Sequence, residues 1–423
     1  LILIYSIQRS KRLEYAAEII FKHILKLEIP ITFTCEPDEY LHFQGRKINY
    51  SQLQMAGGIH IPATDFLYQT GTKTVFPGVA HGAYGKVLFP VDGSKDFGFD
   101  IFSAVFFMVT RYEETASDIP FQPEESIAFK NNFLDKPIVH YWVEELKDQL
   151  MLKYPTYIFP KKKFKNEVMI LSLHQYAFLG RRGKINFIDT LKDLFTGQWK
   201  RMLMRLHVIT GNKKDPLDQL KFHRTVAQKC KQKMLFIVFP PSVYTDQILF
   251  PSFVRKVLSF AKLGYFVSAS DDLQFINEQS KSWPKLSPKK FMNVLFDVSV
   301  QSLLNGYHTI QNLKKVRDYS MCYPQNPGFR AGITETYPWY DLKSEEKTSI
   351  YIRPVAFHAS AFADTINTNP EQVSKTMLNI LQEVRMAKGT LISCWDENQF
   401  SKYPQYRNIK KLYIQLMKAV AVK

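Results

Sequence analysis

From residue 168 onwards the chain alternates two kinds of segment, and that alternation restricts the fold more than any other feature. Short apolar runs rich in β-branched and aromatic residues, at 168–173, 234–239, 265–268, 291–296, 349–355 and 390–394, read as buried strands. Between them, at 217–231, 253–263, 303–315 and 371–387, apolar residues recur every three to four positions, the spacing of a helix with one buried face. Strands and helices in this order predict parallel βαβ units, closed into a barrel or left as an open sheet. Upstream, 1–5 and 29–34 read as strands. The spacing of Leu13, Ala16, Ala17, Ile20, Phe21 and Ile24 predicts a helix, and 100–114 reads as a second amphipathic helix. The run Phe159-Pro160-Lys161-Lys162-Lys163 marks a break. The expected organisation is an N-terminal α/β domain over 1–160 and a second domain over 161–423, with no internal repeat.

With 423 residues the chain is long for one domain. Its 45% apolar content, with 33 phenylalanines and 22 tyrosines, excludes a mostly disordered chain and is enough to bury a sizeable core. No apolar run reaches the roughly 18 residues that span a bilayer; the longest, 101–110 and 234–241, read as buried elements. Cys35, Cys230, Cys322 and Cys394 lie far apart without zinc-finger spacing, so they read as reduced thiols and favour a cytoplasmic protein. At the N-terminus an apolar stretch precedes Arg9, Lys11 and Arg12, the reverse of a secretory signal.

The formal charge is +17, which suggests an anionic partner. Between residues 161 and 233 there are 18 Lys+Arg against 5 Asp+Glu, so most of the excess sits in one region. Within it Phe187, Ile188, Leu191, Leu194, Phe195, Trp199, Met202, Leu203 and Leu206 form a helical stripe. Lys192, Lys200, Arg201 and Arg205 lie between them, and Arg181, Arg182 and Lys184 just before. Two readings stand side by side: a helix lying on an anionic membrane surface, peripheral at the inner membrane, or a helix docked with its apolar face against the protein. Nucleic acid is the weaker partner reading, because no recognition module is visible and the aromatics follow helical spacing.

Several stretches resemble the polysaccharide deacetylase-like proteins common in Bacteroidota, in which an uncharacterised α/β domain precedes a NodB-type deacetylase domain. In the first half these are Arg12-Leu13-Glu14-Tyr15, Lys47-Ile48-Asn49-Tyr50 and the segment from Asp100-Ile101-Phe102 to Arg111-Tyr112-Glu113-Glu114. In the second they are Tyr176-Ala177-Phe178-Leu179-Gly180, Lys214-Asp215-Pro216, Asp318-Tyr319-Ser320-Met321 and Pro327-Gly328-Phe329-Arg330-Ala331-Gly332. The resemblance implies a distorted (β/α) barrel. It also implies an activity: removal of acetyl groups from glycans, with one divalent metal such as zinc held by an Asp and two His, a second Asp as base and a late His as acid.

At the positions where the resemblance places those groups, this chain has other residues. The aspartate pair falls on Leu171 and Leu173, a metal-binding His on Phe266 within Gly264-Tyr265-Phe266, and the late acid on Asp396 after Trp395. Around Asp297 there is no His. Aliphatic side chains neither hold a cation nor take a proton. The expectation is therefore a degenerate site with no catalytic residue and no metal, and a protein that binds a glycan, a lipid-linked saccharide or a protein partner. Arg330 is left without its aspartate and is either structural or open to an anion; Tyr176, Trp339 and Trp395 are candidate floors for a sugar ring, with His174 beside them. The alternatives are an active hydrolase with relocated ligands drawn from His174, Asp297, His308, His358 and Asp396, and a structural subunit of a larger assembly.

Overall fold

The computed structural model describes residues 1–92, 96–115, 119–180, 183–239, 249–268, 292–311, 313, 315–401 and 406–421. The chain opens on β1 (Ile2–Ser6), buried throughout. The Ser10 hydroxyl then accepts from the Leu13 N–H and starts α1 (Lys11–Glu18). The winding widens to a π-helix over Ile19–Ile24, so the stripe expected as one α-helix comes in two windings. β2 (Ile31–Thr34), α2 (Pro37–His42), β3 (Arg46–Tyr50) and β4 (Ile59–Ile61) follow, and the four strands form a parallel sheet in the order β2-β1-β3-β4. A hairpin pairs β5 (Val79–Gly82) with β6 (Gly85–Leu88).

Asp100 ties this half together. Its carboxylate caps α3 (Ile101–Val109) by accepting from the Ser103 N–H, and it also accepts from the Tyr50 hydroxyl at 2.8 Å and from Thr64. α3 differs from the expected amphipathic helix over 100–114. All its residues are buried, and it stops before Arg111, whose backbone is left-handed (φ 54°) and leads into a 3-10 turn over Tyr112–Glu114. Enclosure on every side removes the need for a polar face. α4 (Ile127–Lys130) and α5 (Ile138–Lys153) complete this part.

The second sheet begins with β7 (Lys165–Ser172), whose unbroken apolar run is covered on both faces, as parallel sheets require. Then come α6 (Gly183–Phe195), α7 (Trp199–Ile209), α8 (Leu220–Lys229), β8 (Lys233–Val238), α9 (Phe250–Leu258), β9 (Lys262–Val267) and β10 (Met292–Phe296). Residues 240, 241 and 291, which the sequence reading included in apolar runs, lie outside the described residues. A helix over Leu303–Ile310 precedes β11 (Val316–Asp318), β12 (Tyr337–Asp341), β13 (Glu346–Ile352) and β14 (Phe357–His358). The chain ends with a helix over Pro370–Met386, β15 (Thr390–Asp396) and a helix over Arg407–Ala421.

The order is β12-β13-β11-β10-β9-β8-β7-β15-β14, parallel at every pairing but β12–β13. Strands are added one beside the next, as in a barrel, and the sheet curls. Its edges β12 and β14 do not pair among the described residues, so the result is an open half-barrel. The first half of the chain packs over β12: the Tyr15 hydroxyl donates to the Pro338 carbonyl at 2.7 Å, and Lys26 pairs with Glu335 at 2.8 Å. The main apolar core is continuous through both halves.

Candidate functional site

Side chains alternate across a strand, and in the half-barrel one of the two sets builds a second, separate apolar cluster. Met169 and Leu171 of β7, Leu235 and Ile237 of β8, Leu295 of β10, and Ile392 and Cys394 of β15 meet Tyr319, Cys322 and Val355 there. Leu173 and Phe266 pack against it. Leu171, Leu173 and Phe266, the residues expected from the sequence resemblance to stand in place of carboxylate and imidazole, are thus brought together on one apolar surface. Burial pushes the Cys322 thiol up to about 12 and the Cys394 thiol well above its ordinary value. Both stay as neutral S–H groups, which are poor metal ligands. At the start of β7, Glu167 receives Lys262 of β9 at 2.8 Å and Arg353 at 2.6 Å.

The polar candidates lie at the strand ends. Asp396 closes β15 and His358 closes the neighbouring β14. Burial raises the Asp396 carboxyl, and the charge of His358 acts against that rise. His358 Nδ1 shares a 2.5 Å hydrogen bond with the Ser360 hydroxyl. His174 is exposed after β7, Asp297 follows β10 and accepts from the Ser299 N–H at 2.9 Å, and His308 is half-buried on the helix Leu303–Ile310. Of these five, Asp396 and His358 are brought within electrostatic reach of each other. Among the described residues no three His, Cys, Asp or Glu form a group able to hold a metal ion.

Two buried carboxyls next to the strand ends, Glu397 and Asp318, were not among the expected site residues, although Asp318 belongs to one of the resembling stretches. Glu397, 1% exposed, accepts from the Ser172 hydroxyl, and its Oε1 has no partner among the described residues. Burial pushes it up to about 8, against the pull of Ser172. Asp318 accepts from Tyr307 (3.0 Å) and from the Ser320 N–H (3.0 Å) and hydroxyl (2.7 Å), and burial pushes it up to about 7. The Asp318-Tyr319-Ser320 motif is therefore a brace that ties the end of β11 to the helix Leu303–Ile310 and to β10.

Arg330 is not free to take an anion. It is 2% exposed and makes two bonds to Glu114, through Nε at 2.9 Å and Nη2 at 2.6 Å, while Nη1 donates to the Cys322 carbonyl at 2.9 Å. Arg111 also pairs with Glu114, at 2.7 Å. Burial alone would raise the Glu114 carboxyl, but Arg330 and Arg111 outweigh it and hold it below the usual range. The partner missing on the barrel side is supplied by the first half of the chain.

Trp339 and Trp395 are core residues rather than floors of a groove. Trp395 is fully buried against Tyr413 (5.0 Å between ring centres) and Phe357, and Trp339 packs on Tyr307 at 4.5 Å. Tyr176 is half-buried, edge-on to Phe253 at 6.3 Å.

The basic segment is a helical hairpin, not one helix. α6 and α7 are separated at Gly197, whose backbone is left-handed (φ 71°). Phe187, Leu191, Phe195, Trp199 and Leu203 are exposed, Phe195 by 84% and Trp199 by 55%, while Leu194 and Met202 of the same stripe are half-buried, so most of the stripe is not covered by the described residues. Lys184, Lys200 and Arg201 are exposed; Arg181 and Arg182 lie outside the described residues. Arg205 departs from the expected surface set: it is 1% exposed and pairs with Asp193 at 2.7 Å and Asp189 at 3.4 Å, holding the two helices together.

Asp215 explains two more of the motif stretches. Its buried carboxylate accepts from the N–H groups of Ala177 (2.9 Å), Phe178 (2.9 Å), Leu179 (3.1 Å) and Leu217 (3.0 Å). It anchors the loop after β7, from which the hairpin departs. The Lys-Asp-Pro sequence was the available signal, since Asp before Pro commonly starts a turn.

Over residues 2–155 the chain matches a family of unknown function, DUF7033. No curated protein matches it. Among solved structures it is similar to a protein from Mycobacterium smegmatis described as a polysaccharide deacetylase, with a TM-score of 0.38 and 9% identity over 63% of this chain and 87% of that one.

Proposed function

We propose that this chain is a non-catalytic protein of polysaccharide deacetylase type that acts by binding a glycan, a lipid-linked saccharide or a protein. One observation carries the reading: Leu171, Leu173 and Phe266 join a single apolar cluster, at the positions to which the sequence resemblance assigns a metal and two carboxylates. Such a surface offers no Lewis acid site, no base and no polar cradle for metal-bound water. The motif likeness in the sequence supports the deacetylase type.

The test is acetate release from acetylated chitin oligomers and xylan, with elemental analysis of the purified protein. The reading expects no release above background and no stoichiometric zinc, nickel, cobalt, manganese or iron. Leu171→Asp should not create activity, because it places a carboxylate in an apolar pocket without a cation, at a cost of several kcal/mol or with a raised pKa.

A second reading rests on Asp396 and His358, which sit at adjacent strand ends within electrostatic reach. It is an active hydrolase with ligands moved to this side of the sheet. Chelator-sensitive release lost in both Asp396→Asn and His358→Ala would select it, as would a metal bound at about 2.0–2.3 Å from these two side chains.

A further inference from the structure

We infer that the α6–α7 hairpin is a docking surface for an anionic phospholipid bilayer. Eight large apolar side chains on the two helices are exposed: Phe187, Ile188, Leu191 and Phe195 on α6, and Trp199, Leu203, Leu206 and Ile209 on α7. A folded chain in water rarely leaves so many together. Their helical spacing puts them along the hairpin, and no part of the described protein covers them.

The charge around this apolar face decides the occupant. The acidic side chains of the hairpin, Asp189 and Asp193, are both turned to the buried Arg205, at 3.4 and 2.7 Å. Asp193 also lies 3.8 Å from the exposed Arg201, so the two carboxylates of the hairpin are balanced by two guanidinium groups. The exposed charges that remain on the hairpin, Lys184, Lys192 and Lys200, are all positive, and the exposed Lys213 and Lys214 follow a few residues after α7. An apolar face with a purely cationic border matches a leaflet of acyl chains under anionic headgroups. A second copy of the chain fits less well, since a two-fold contact through this face would set cations against cations. Trp199 at the head of α7 is the residue type that settles at the headgroup level. The inference is independent of what the half-barrel binds.

The experiment is flotation of the full chain with vesicles of phosphatidylcholine alone and of phosphatidylcholine with phosphatidylglycerol, at low and at physiological salt. Binding to the anionic vesicles is expected, with at least a tenfold preference over neutral ones, weakening as salt rises because the attraction is screened over about 8–10 Å. The triple variant K184Q, K192Q, K200Q should bind about a hundredfold less, at roughly fivefold per basic side chain. The variant F195S, W199S, L203S should lose binding altogether. These residues are exposed, so both variants should keep the wild-type circular dichroism spectrum, which confirms that the loss is local. Equal binding to neutral and anionic vesicles, or no binding to either, overturns the inference. So does a dimer in sedimentation that dissociates in the serine variant, which would make the face a self-association surface.

Discussion

Glu114 meets two arginines in a site closed to water, Arg111 from its own turn and Arg330 from the far half of the chain. Removing the carboxylate leaves the buried Arg330 without its acidic partner, while Arg111 keeps Glu113 at 2.7 Å. Glu114→Ala should therefore destabilise the protein by about 3–5 kcal/mol, read from urea unfolding. Its pH dependence has a definite sign. The folded carboxyl lies below its ordinary 4.5, so its contribution is fully present above pH 4.5 and is lost as pH falls below it. Glu397 runs the other way. Its folded value is about 8 against an ordinary 4.5, so below pH 4.5 both states are protonated and the group has no effect. Between about 4.5 and 8 the unfolded chain sheds the proton first, and stability falls as pH rises. Glu397→Gln should remove that decline, so that its unfolding midpoint exceeds the wild-type value at pH 8 and equals it at pH 4.5 or below. A wild-type midpoint that rises across this window would contradict the assignment.

Between residue and fold stand the turns and braces that set the direction of each element. Gly197 separates α6 from α7 with a left-handed backbone, and a Cβ built there meets nothing within 4 Å. Gly197→Ala should thus cost only the backbone term, about 1 kcal/mol. Gly306 is the opposite case: a Cβ there would lie 2.1 Å from the Phe296 ring, so Gly306→Ala forces the helix Leu303–Ile310 off the sheet and should cost more, about 1–3 kcal/mol. Thermal melts of the two variants would order them. Asp215→Ala strands the N–H groups that hold the loop after β7, and proteolysis should then cut that loop first. The helical stripe from Phe187 to Leu206 was legible as period; its division was not, because one Gly in such a stripe is compatible with either outcome.

Taken whole, the molecule has two sheets but one main apolar core, and hydrogen bonds cross between the halves from α1, α3 and α5. Unfolding in urea should show a single transition, coincident by far-ultraviolet circular dichroism and tryptophan fluorescence; two separated transitions would show that the halves fold independently. Most strands and helices of the second half could be read from local pattern, to within a few residues, because burial on both faces or on one imposes a period on neighbouring positions. The short β11 and β14 were missed, as was β12, whose aromatic and proline residues give no clean alternation. The apolar character of Leu171, Leu173 and Phe266 and the excess of positive charge between 161 and 233 are likewise properties of the sequence alone. What only the tertiary structure decided are matters of partnership. Arg330 finds Glu114 across 216 positions, Trp395 faces the core instead of a groove, and Arg205 turns inward while Trp199 stays out. Period and composition describe a residue with its neighbours in the chain, whereas a charge or a ring is settled by whichever distant group reaches it first in the packed fold.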